Sequence, residues 1–215
     1  MTDVHCHVAG GDPDVRELLI GRDFFGIHPW TALGDGFRLS ACELESVERE
    51  LVAHPNAGVG EIGLDRLKVK ATTLEMRALF EAQLALAAQF RRPVVLHGAK
   101  CWGEVVRAAR PFADRIPSFL FHGFSRSDGL LPDIVALNGF VSVGPAVLND
   151  HAVNYRELVK KIPSDRLVLE TDRTEESAAT CPPLAAIAAK VAELRGVDLV
   201  ELEAQTDANA RRFFE

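Results

Sequence analysis

Short segments that are apolar almost throughout recur along the chain, and each is followed by polar residues or glycine and then by a stretch with helical spacing. This alternation predicts an α/β fold. Strands that are apolar on both faces are typical of parallel sheets covered by helices, so the repetition favours a closed (β/α) TIM-type barrel. The predicted strands are 3–8, 24–28, 57–65, 93–98, 118–124, 139–145 and 167–172.

An open, doubly wound sheet is the competing architecture. Neither G-x-G-x-x-G nor G-x-x-x-x-G-K-[ST], the loops that bind phosphate in many such sheets, follows a predicted strand. The barrel is therefore preferred, and the absence of any linker or low-complexity tract predicts a single domain over 1–215.

Helical spacing is clearest over 73–90, where Thr72 and Glu75 are predicted to form a capping box. A second helix is predicted over 183–195, with Gly196 as its stop. The apolar stripe of the first helix is expected to pack on the sheet.

Composition limits the cellular compartments and the binding partners that we expect for this chain. The four cysteines, too few and too scattered for a disulfide framework, fit a reducing cytoplasm, and no uncharged apolar run is long enough to span a membrane. A cytoplasmic protein is expected, with no obligate protein partner indicated. The net charge of −7 opposes unspecific coating of DNA, whereas bound divalent cations would still allow a phosphate-bearing substrate.

Residue types that bind metals lie at the carboxyl ends of five of the seven predicted strands. In a (β/α) barrel the carboxyl ends of all strands meet at one mouth, so these side chains are expected to converge. A lone His-x-His is more often surface or core histidine, but six such groups buried together would be costly without cations. The predicted metal ligands are His5, His7, Glu61, His97, His122 and Asp172.

The chain resembles a known family in the stretches DVHCHV, FGIHPW, GEIGLD, FEAQLALAAQFRRPVVLH, FHGFS, GFVSVG, LVLETD and LEAQTDANARRFF. In this order they are similar to the TatD-type metal-dependent hydrolases, which resemble amidohydrolase-type TIM barrels. The resemblance implies a centre of two divalent ions. It places His5, His7 and Asp172 on one ion and His97 and His122 on the other, with Glu61 between both.

Three departures from the family pattern stand out. The segment between His-x-His and G-I-H-P lacks a full β/α unit, so one unit is expected to be shortened or missing near the N-terminus. Either the barrel has seven good strands, or residues 17–21 supply an abbreviated eighth. The family's I-H-x-R becomes LHGAK and its E-T-D-S-P becomes ETDRTEE, which makes substrate contacts less transferable than metal ligands.

The ligand types also bear on the ions and the chemistry. Four imidazoles with two carboxylates favour Zn, Mn, Co or Fe over Mg, which prefers oxygen ligands. Two ions about 3.5 to 4 Å apart can share a hydroxide and polarise a phosphoryl or carbonyl oxygen. Glu61 and Asp172 are the candidate catalytic residues. Asp172 either accepts the proton of the attacking water or serves as a plain ligand.

Basic and aromatic residues follow the predicted ligands closely. Cations near one mouth of an acidic protein favour an anionic substrate, although each alone could be an ordinary loop cation. His28 is a candidate phosphate donor or a structural residue, and Trp30 either stacks on a base or caps the barrel. The predicted substrate contacts are His28, Trp30, Arg66, Lys100, Arg126 and Arg173.

The function that these predictions favour is a two-metal phosphodiesterase acting on DNA ends or nucleotides, as the resemblance to TatD-type deoxyribonucleases implies. Its substrate would be a small anion or a single-stranded nucleic acid end. Hydrolysis of an amide, a lactone or a small phosphoester by the same metals is the alternative. A protein that binds metal without catalysis is a third hypothesis, which the complete ligand set disfavours.

Overall fold

A computed structural model describes residues 1–33, 37, 39–125 and 128–214. Its eight strands pair in parallel in the order β2-β1-β8-β7-β6-β5-β4-β3, and a bridge between Ile20 and Phe24 joins the two edges of the sheet. The result is a nearly closed barrel, which confirms the predicted fold class. The strands are β1 Thr2–Cys6, β2 Arg16–Leu19, β3 Phe24–Phe25, β4 Gly58–Asp65, β5 Val94–Ala99, β6 Phe119–Phe121, β7 Gly139–Val143 and β8 Leu167–Leu169.

Seven α-helices formed by the described residues surround this sheet. None of them is long and apolar enough to cross a membrane. They are α1 Ala41–Ala53, α2 Leu74–Phe90, α3 Trp102–Ala109, α4 Leu131–Ala136, α5 Val153–Lys161, α6 Leu184–Arg195 and α7 Leu199–Phe214.

A small apolar cluster inside the ring of strands explains why the sheet closes. Seven of the eight strands each contribute one buried residue to it, and such residues can meet only on a common axis. At the corresponding place β4 has Gly60, where a Cβ atom would lie 2.7 Å from the Cβ of Val95. Ala210 and Phe213 of α7 complete the cluster and close the end of the barrel opposite the mouth where the predicted ligands lie. The strand residues are Val4, Leu18, Phe24, Val95, Leu120, Phe140 and Val168.

The N-terminal part of the barrel departs from the regular β/α repeat. Residues 7–15 and 20–23 connect β1 to β2 and β2 to β3, and neither segment forms a helix. Parallel neighbours usually need a crossover helix, so the shortened unit expected from the sequence is confirmed. Strand β2 is the abbreviated eighth strand, starting one residue before the predicted 17–21.

The helix ends show where sequence rules hold and where they fail. Helix α2 starts one residue after Thr73, whose side chain accepts a hydrogen bond from the backbone N–H of Met76 at 3.0 Å. The predicted capping box of Thr72 and Glu75 is therefore wrong. The Thr72 hydroxyl instead donates to Glu104 at 2.7 Å, a partner distant in sequence. Gly196 ends α6 in the left-handed conformation, as predicted, with φ 65°.

Candidate metal centre

Glu61 occupies the middle of the barrel mouth, with histidines on two sides of its carboxylate. Its Oε2 atom lies 3.6 Å from the Nε2 atoms of both His5 and His7. Its Oε1 atom lies 2.6 Å from Nδ1 of His97 and 3.4 Å from Nε2 of His122. One carboxylate therefore faces two separate groups of nitrogen donors.

Asp172 completes the first of these groups, and backbone hydrogen bonds fix its position. It follows β8 with φ 48°, and its N–H donates to the carbonyl of His5 at 3.0 Å. The Oδ1 atom lies 3.5 Å from Nε2 of His5 and 3.6 Å from Nε2 of His7. All six predicted ligands thus meet at one mouth.

The burial of His5 bears on whether these six side chains fit a cation. Its side chain is fully buried, and neither ring nitrogen has a hydrogen-bond partner in the part of the chain that the structure describes. Its ring centroid lies only 3.9 Å from that of His122. Unpaired buried polar atoms are costly, and a cation that accepts a nitrogen lone pair would remove part of that cost. The donor set therefore fits a metal ion.

Two further carboxylates orient the histidines from behind. Asp65 lies 3.0 Å from Nε2 of His97, on the ring edge away from Glu61. Glu170, which is buried, lies 3.0 Å from Nδ1 of His122 and also accepts the N–H of Gly123 at 2.9 Å. A carboxylate on the outer nitrogen is the usual partner of a metal-binding histidine. Both acids stand in the motifs GEIGLD and LVLETD, but nothing in the sequence indicated that they contact histidines.

These contacts shift the pKa values of Glu61 and His122. Burial works against ionisation of Glu61, but His122, the hydrogen bond with His97 and the charge of His5 hold its pKa well below the ordinary value. Burial also works against protonation of His122, yet Glu170 and Glu61 outweigh it and raise its pKa to about 10. The carboxylate of Glu61 is therefore ionised, and a bound cation would balance its negative charge.

His28, predicted as a phosphate contact, lies at the edge of the centre. Its Nε2 atom is 3.8 Å from Oε1 of Glu61, and burial lowers its pKa to about 4, so the ring is neutral at pH 7. Gln83 of α2 holds the preceding residue, Ile27, by accepting its N–H at 2.7 Å and donating to its carbonyl at 3.0 Å. Gln83 was not among the predicted site residues, and its only signal in the sequence is a polar residue on the buried face of α2.

Trp30 lies next to His28 and is tied to the centre through Asp65. Its Nε1–H donates to Oδ2 of Asp65 at 2.7 Å, while the Nζ atom of Lys68 lies 3.4 Å from the ring centroid. The indole is 45% exposed. Because Lys68 covers one face of the ring, a base could stack on that face only after the cation had moved.

Two predicted substrate contacts border a cleft of about 760 Å³ beside the centre. Arg66 and Lys100 line it together with Arg107, while His97 and His122 form its inner end. We call it the cationic cleft. Arg66 also lies 3.6 Å from Glu104.

The other two predicted cations are not brought to this cleft. The guanidinium of Arg173 lies 3.3 Å from Glu17, and that side chain is only 13% exposed. It therefore joins the β8 end to β2. Arg126 lies outside the described residues.

Comparisons with known proteins identify the family of this chain. The family model for TatD-related DNase matches residues 22–215. A Klebsiella pneumoniae protein named 3'-5' ssDNA/RNA exonuclease TatD is 33% identical over 88% of this chain and 75% of its own length. The protein of the same name from Edwardsiella piscicida is 30% identical over 97% of this chain and 81% of its own.

A Bacillus subtilis relative, named uncharacterized metal-dependent hydrolase YabD, is 28% identical over 77% of this chain and 68% of its own. The crystal structure of YJJV, a TatD homologue from Escherichia coli, has a TM-score of 0.72 and 24% identity over 95% of this chain and 78% of that one, and supports the fold. Together with the residue clusters at the mouth, the relatives support a site for divalent metal. The chain belongs to the TatD-related DNase family and is a TatD-type metal-dependent hydrolase.

Proposed function

We propose that this protein is a phosphodiesterase that hydrolyses the ends of single-stranded nucleic acid. The observation that carries the proposal is the carboxylate of Glu61, which faces two groups of histidines, one of which, His97 and His122, lines a cleft with three cations. Arg and Lys side chains of the cleft can bind the neighbouring phosphates of a strand whose scissile phosphate divalent ions would hold, if bound at the centre. The names of the relatives from Klebsiella and Edwardsiella support the same substrate class.

Two divalent ions are proposed, one on each side of Glu61. His5, His7 and Asp172 would hold the first, and His97 and His122 the second, with Zn, Mn, Co or Fe favoured over Mg by the nitrogen donors. When bound, the ions would lower the pKa of water and polarise a phosphoryl oxygen.

Asp172 is the proposed proton acceptor. Its Oδ1 atom faces His5 and His7, while 46% of its side chain is exposed, so solvent water can reach the carboxylate. As the water oxygen bonds to phosphorus, Asp172 takes its proton; the bond from phosphorus to the leaving oxygen breaks, and that oxygen is protonated from solvent. Neutral His28 would donate a hydrogen bond to a non-bridging phosphate oxygen.

Hydrolysis assays with metal-loaded protein test this proposal. The substrates are a labelled single strand, bis-p-nitrophenyl phosphate and a panel of amides and lactones. We expect stoichiometric transition metal by mass spectrometry, and turnover of DNA that chelation and His122→Ala both abolish. His151→Ala, at an exposed loop histidine, is the control and should keep full activity. Turnover of amides or lactones without turnover of DNA would favour the alternative hydrolase, and bound metal without any turnover would favour a binding protein.

The predicted compartment remains a proposal as well. All four cysteines are free thiols, and Cys6 and Cys101 are buried. Unpaired thiols support a reducing compartment such as the cytoplasm.

A further inference from the structure

A second cleft, of about 510 Å³, opens on the other side of the metal centre. It is bounded by Ala146 after β7 and by Ser177, Thr180 and Pro182 after β8, and Asp172 forms its inner end. We call it the neutral cleft. It shares Gly123 and Ser125 with the cationic cleft, so the two clefts meet at the metal centre.

The two clefts differ in charge. Arg66, Lys100 and Arg107 line the cationic cleft and outnumber its carboxylate, Glu104, which already pairs with Arg77 at 3.0 Å. Among the described residues that line the neutral cleft there is no lysine or arginine, and apart from the carboxylates of Asp172 and Glu170 at the metal centre its lining is uncharged. A single strand carries one negative charge per nucleotide, so a multi-phosphate chain is favoured in the first cleft and disfavoured in the second.

The lining of the neutral cleft suits a base and a sugar instead. Ala146 and Pro182 supply apolar surface, while Ser177 and Thr180 supply hydroxyl groups. Such a mixture of apolar walls and a few hydrogen-bonding groups is typical of small-molecule sites of this size. The volume of about 510 Å³ lies in the range of sites that hold one small molecule.

From this contrast we infer that the two clefts divide the substrate: the neutral cleft binds the terminal nucleoside, and the cationic cleft binds the phosphates of the remaining strand. The inference rests on the proposed nuclease function. It places the scissile phosphate between Asp172 on one side and His97 with His122 on the other, where the clefts meet. For an exonuclease that starts at a 3′ end, as the relatives are named, the nucleoside in the neutral cleft is the 3′-terminal one.

Salt-dependent binding tests the cationic cleft. Metal-loaded protein is titrated with fluorescent phosphorothioate strands of two and twelve nucleotides, which resist hydrolysis. Arg107→Glu should weaken binding of the longer strand and reduce the slope of log affinity against log salt by about 0.7, the value for one lost phosphate contact, with little effect on the dinucleotide. Arg211→Glu, the same charge change at an exposed site on α7, should leave both unchanged.

A double-mutant-type cycle, which combines one change in the protein with one change in the substrate, tests the neutral cleft. Thr180→Trp fills the cleft from an exposed position, and the substrate change removes only the terminal base, leaving an abasic 3′ sugar. Each change alone should raise KM for hydrolysis about tenfold, as expected for one lost base contact, and the two together should cost much less than their product. An abasic 5′ end should show no such coupling to Thr180→Trp.

Two further variants keep this test decisive. Ala146→Trp fills the same cleft from the β7 side and serves if Thr180→Trp does not fold, while Ala178→Trp adds an exposed indole outside the cleft and should behave as wild type. Independent effects of filling the neutral cleft and of removing the terminal base, or a salt slope that Arg107→Glu leaves intact, would overturn the division of the substrate. Failure of the wild-type protein to hydrolyse any strand would instead refute the proposed nuclease function.

Discussion

Replacing Gln83 by methionine should destabilise the protein and displace the segment that carries His28. The Gln83 side chain is fully buried and makes both hydrogen bonds that the backbone of Ile27 needs, at 2.7 and 3.0 Å. Methionine fills nearly the same volume but leaves one N–H and one carbonyl without their partners. A buried group left unpaired costs about 1 to 3 kcal/mol. Since Ile27 is only partly buried, we expect a total loss of about 2 to 4 kcal/mol.

Urea unfolding of wild-type and variant protein measures this loss. The midpoint should fall while the slope with denaturant stays the same, because the surface exposed on unfolding hardly changes. Gln89→Met, at an exposed position on the same helix, provides the control and should shift stability by less than about 0.5 kcal/mol. Equal effects of the two substitutions would show that the Ile27 contacts do not hold the segment. DNA hydrolysis by Gln83→Met should also fall, since His28 follows Ile27 directly.

Three other predictions concern the metal centre and the barrel core. Glu170→Gln should lower metal affinity about 10- to 100-fold in calorimetry, because the charge behind His122 is lost; unchanged affinity would contradict the orienting role. Burial raises the pKa of Asp3 to about 6, so between about pH 4 and 6 the native state retains a proton that the unfolded chain has released. In the presence of a chelator, the free energy of unfolding of the wild type relative to Asp3→Asn should therefore fall by up to about 3 kcal/mol over this pH range. A difference that does not change with pH would refute this prediction. Phe213→Ala should cost about 3 to 5 kcal/mol in urea unfolding, whereas a cost under about 1 kcal/mol would mean that α7 does not close the barrel.

The convergence of the six proposed ligands at one mouth could be predicted because strand ends are visible in sequence. His97 and Asp172 come at or just after apolar segments, and parallel strands bring all such ends to one mouth. Periodicity therefore supplied both the fold and the positions of the donors. The strands themselves are mostly shorter than the apolar runs, so donors such as His122 and Asp172 lie just beyond the strands that the structure forms.

Partners that depend on side-chain direction could not be predicted in the same way. Asp65 and Glu170 approach histidines 32 and 48 positions away in sequence, and only the folded geometry shows which ring edge each one faces. Arg173 follows a ligand as closely as Arg66 does, yet it pairs with Glu17 instead of lining a cleft. Proximity in sequence to the mouth therefore does not decide where a long side chain is used.

The eighth strand was the weakest sequence signal for a similar reason. Strand β2 has the sequence RELL, with only Leu18 buried, and it lacks the continuous apolar character of the central strands. It pairs with β1 but meets β3 through a single bridge. A strand covered so little needs few apolar residues, and composition alone then resembles a loop.

That single bridge also makes the seam between β2 and β3 the natural place to enlarge this scaffold. Gly21 lies there with φ 84°, in an open turn where nothing lies within 4 Å of an added Cβ. A helix-bearing segment grafted after it would interrupt this bridge and the hydrogen bonds of the turn, but no full ladder. The entropy of closing a longer loop grows only slowly with length. Chimaeras that acquire an extra β/α unit at this turn should keep the ligand geometry of the mouth while gaining a new wall above β2.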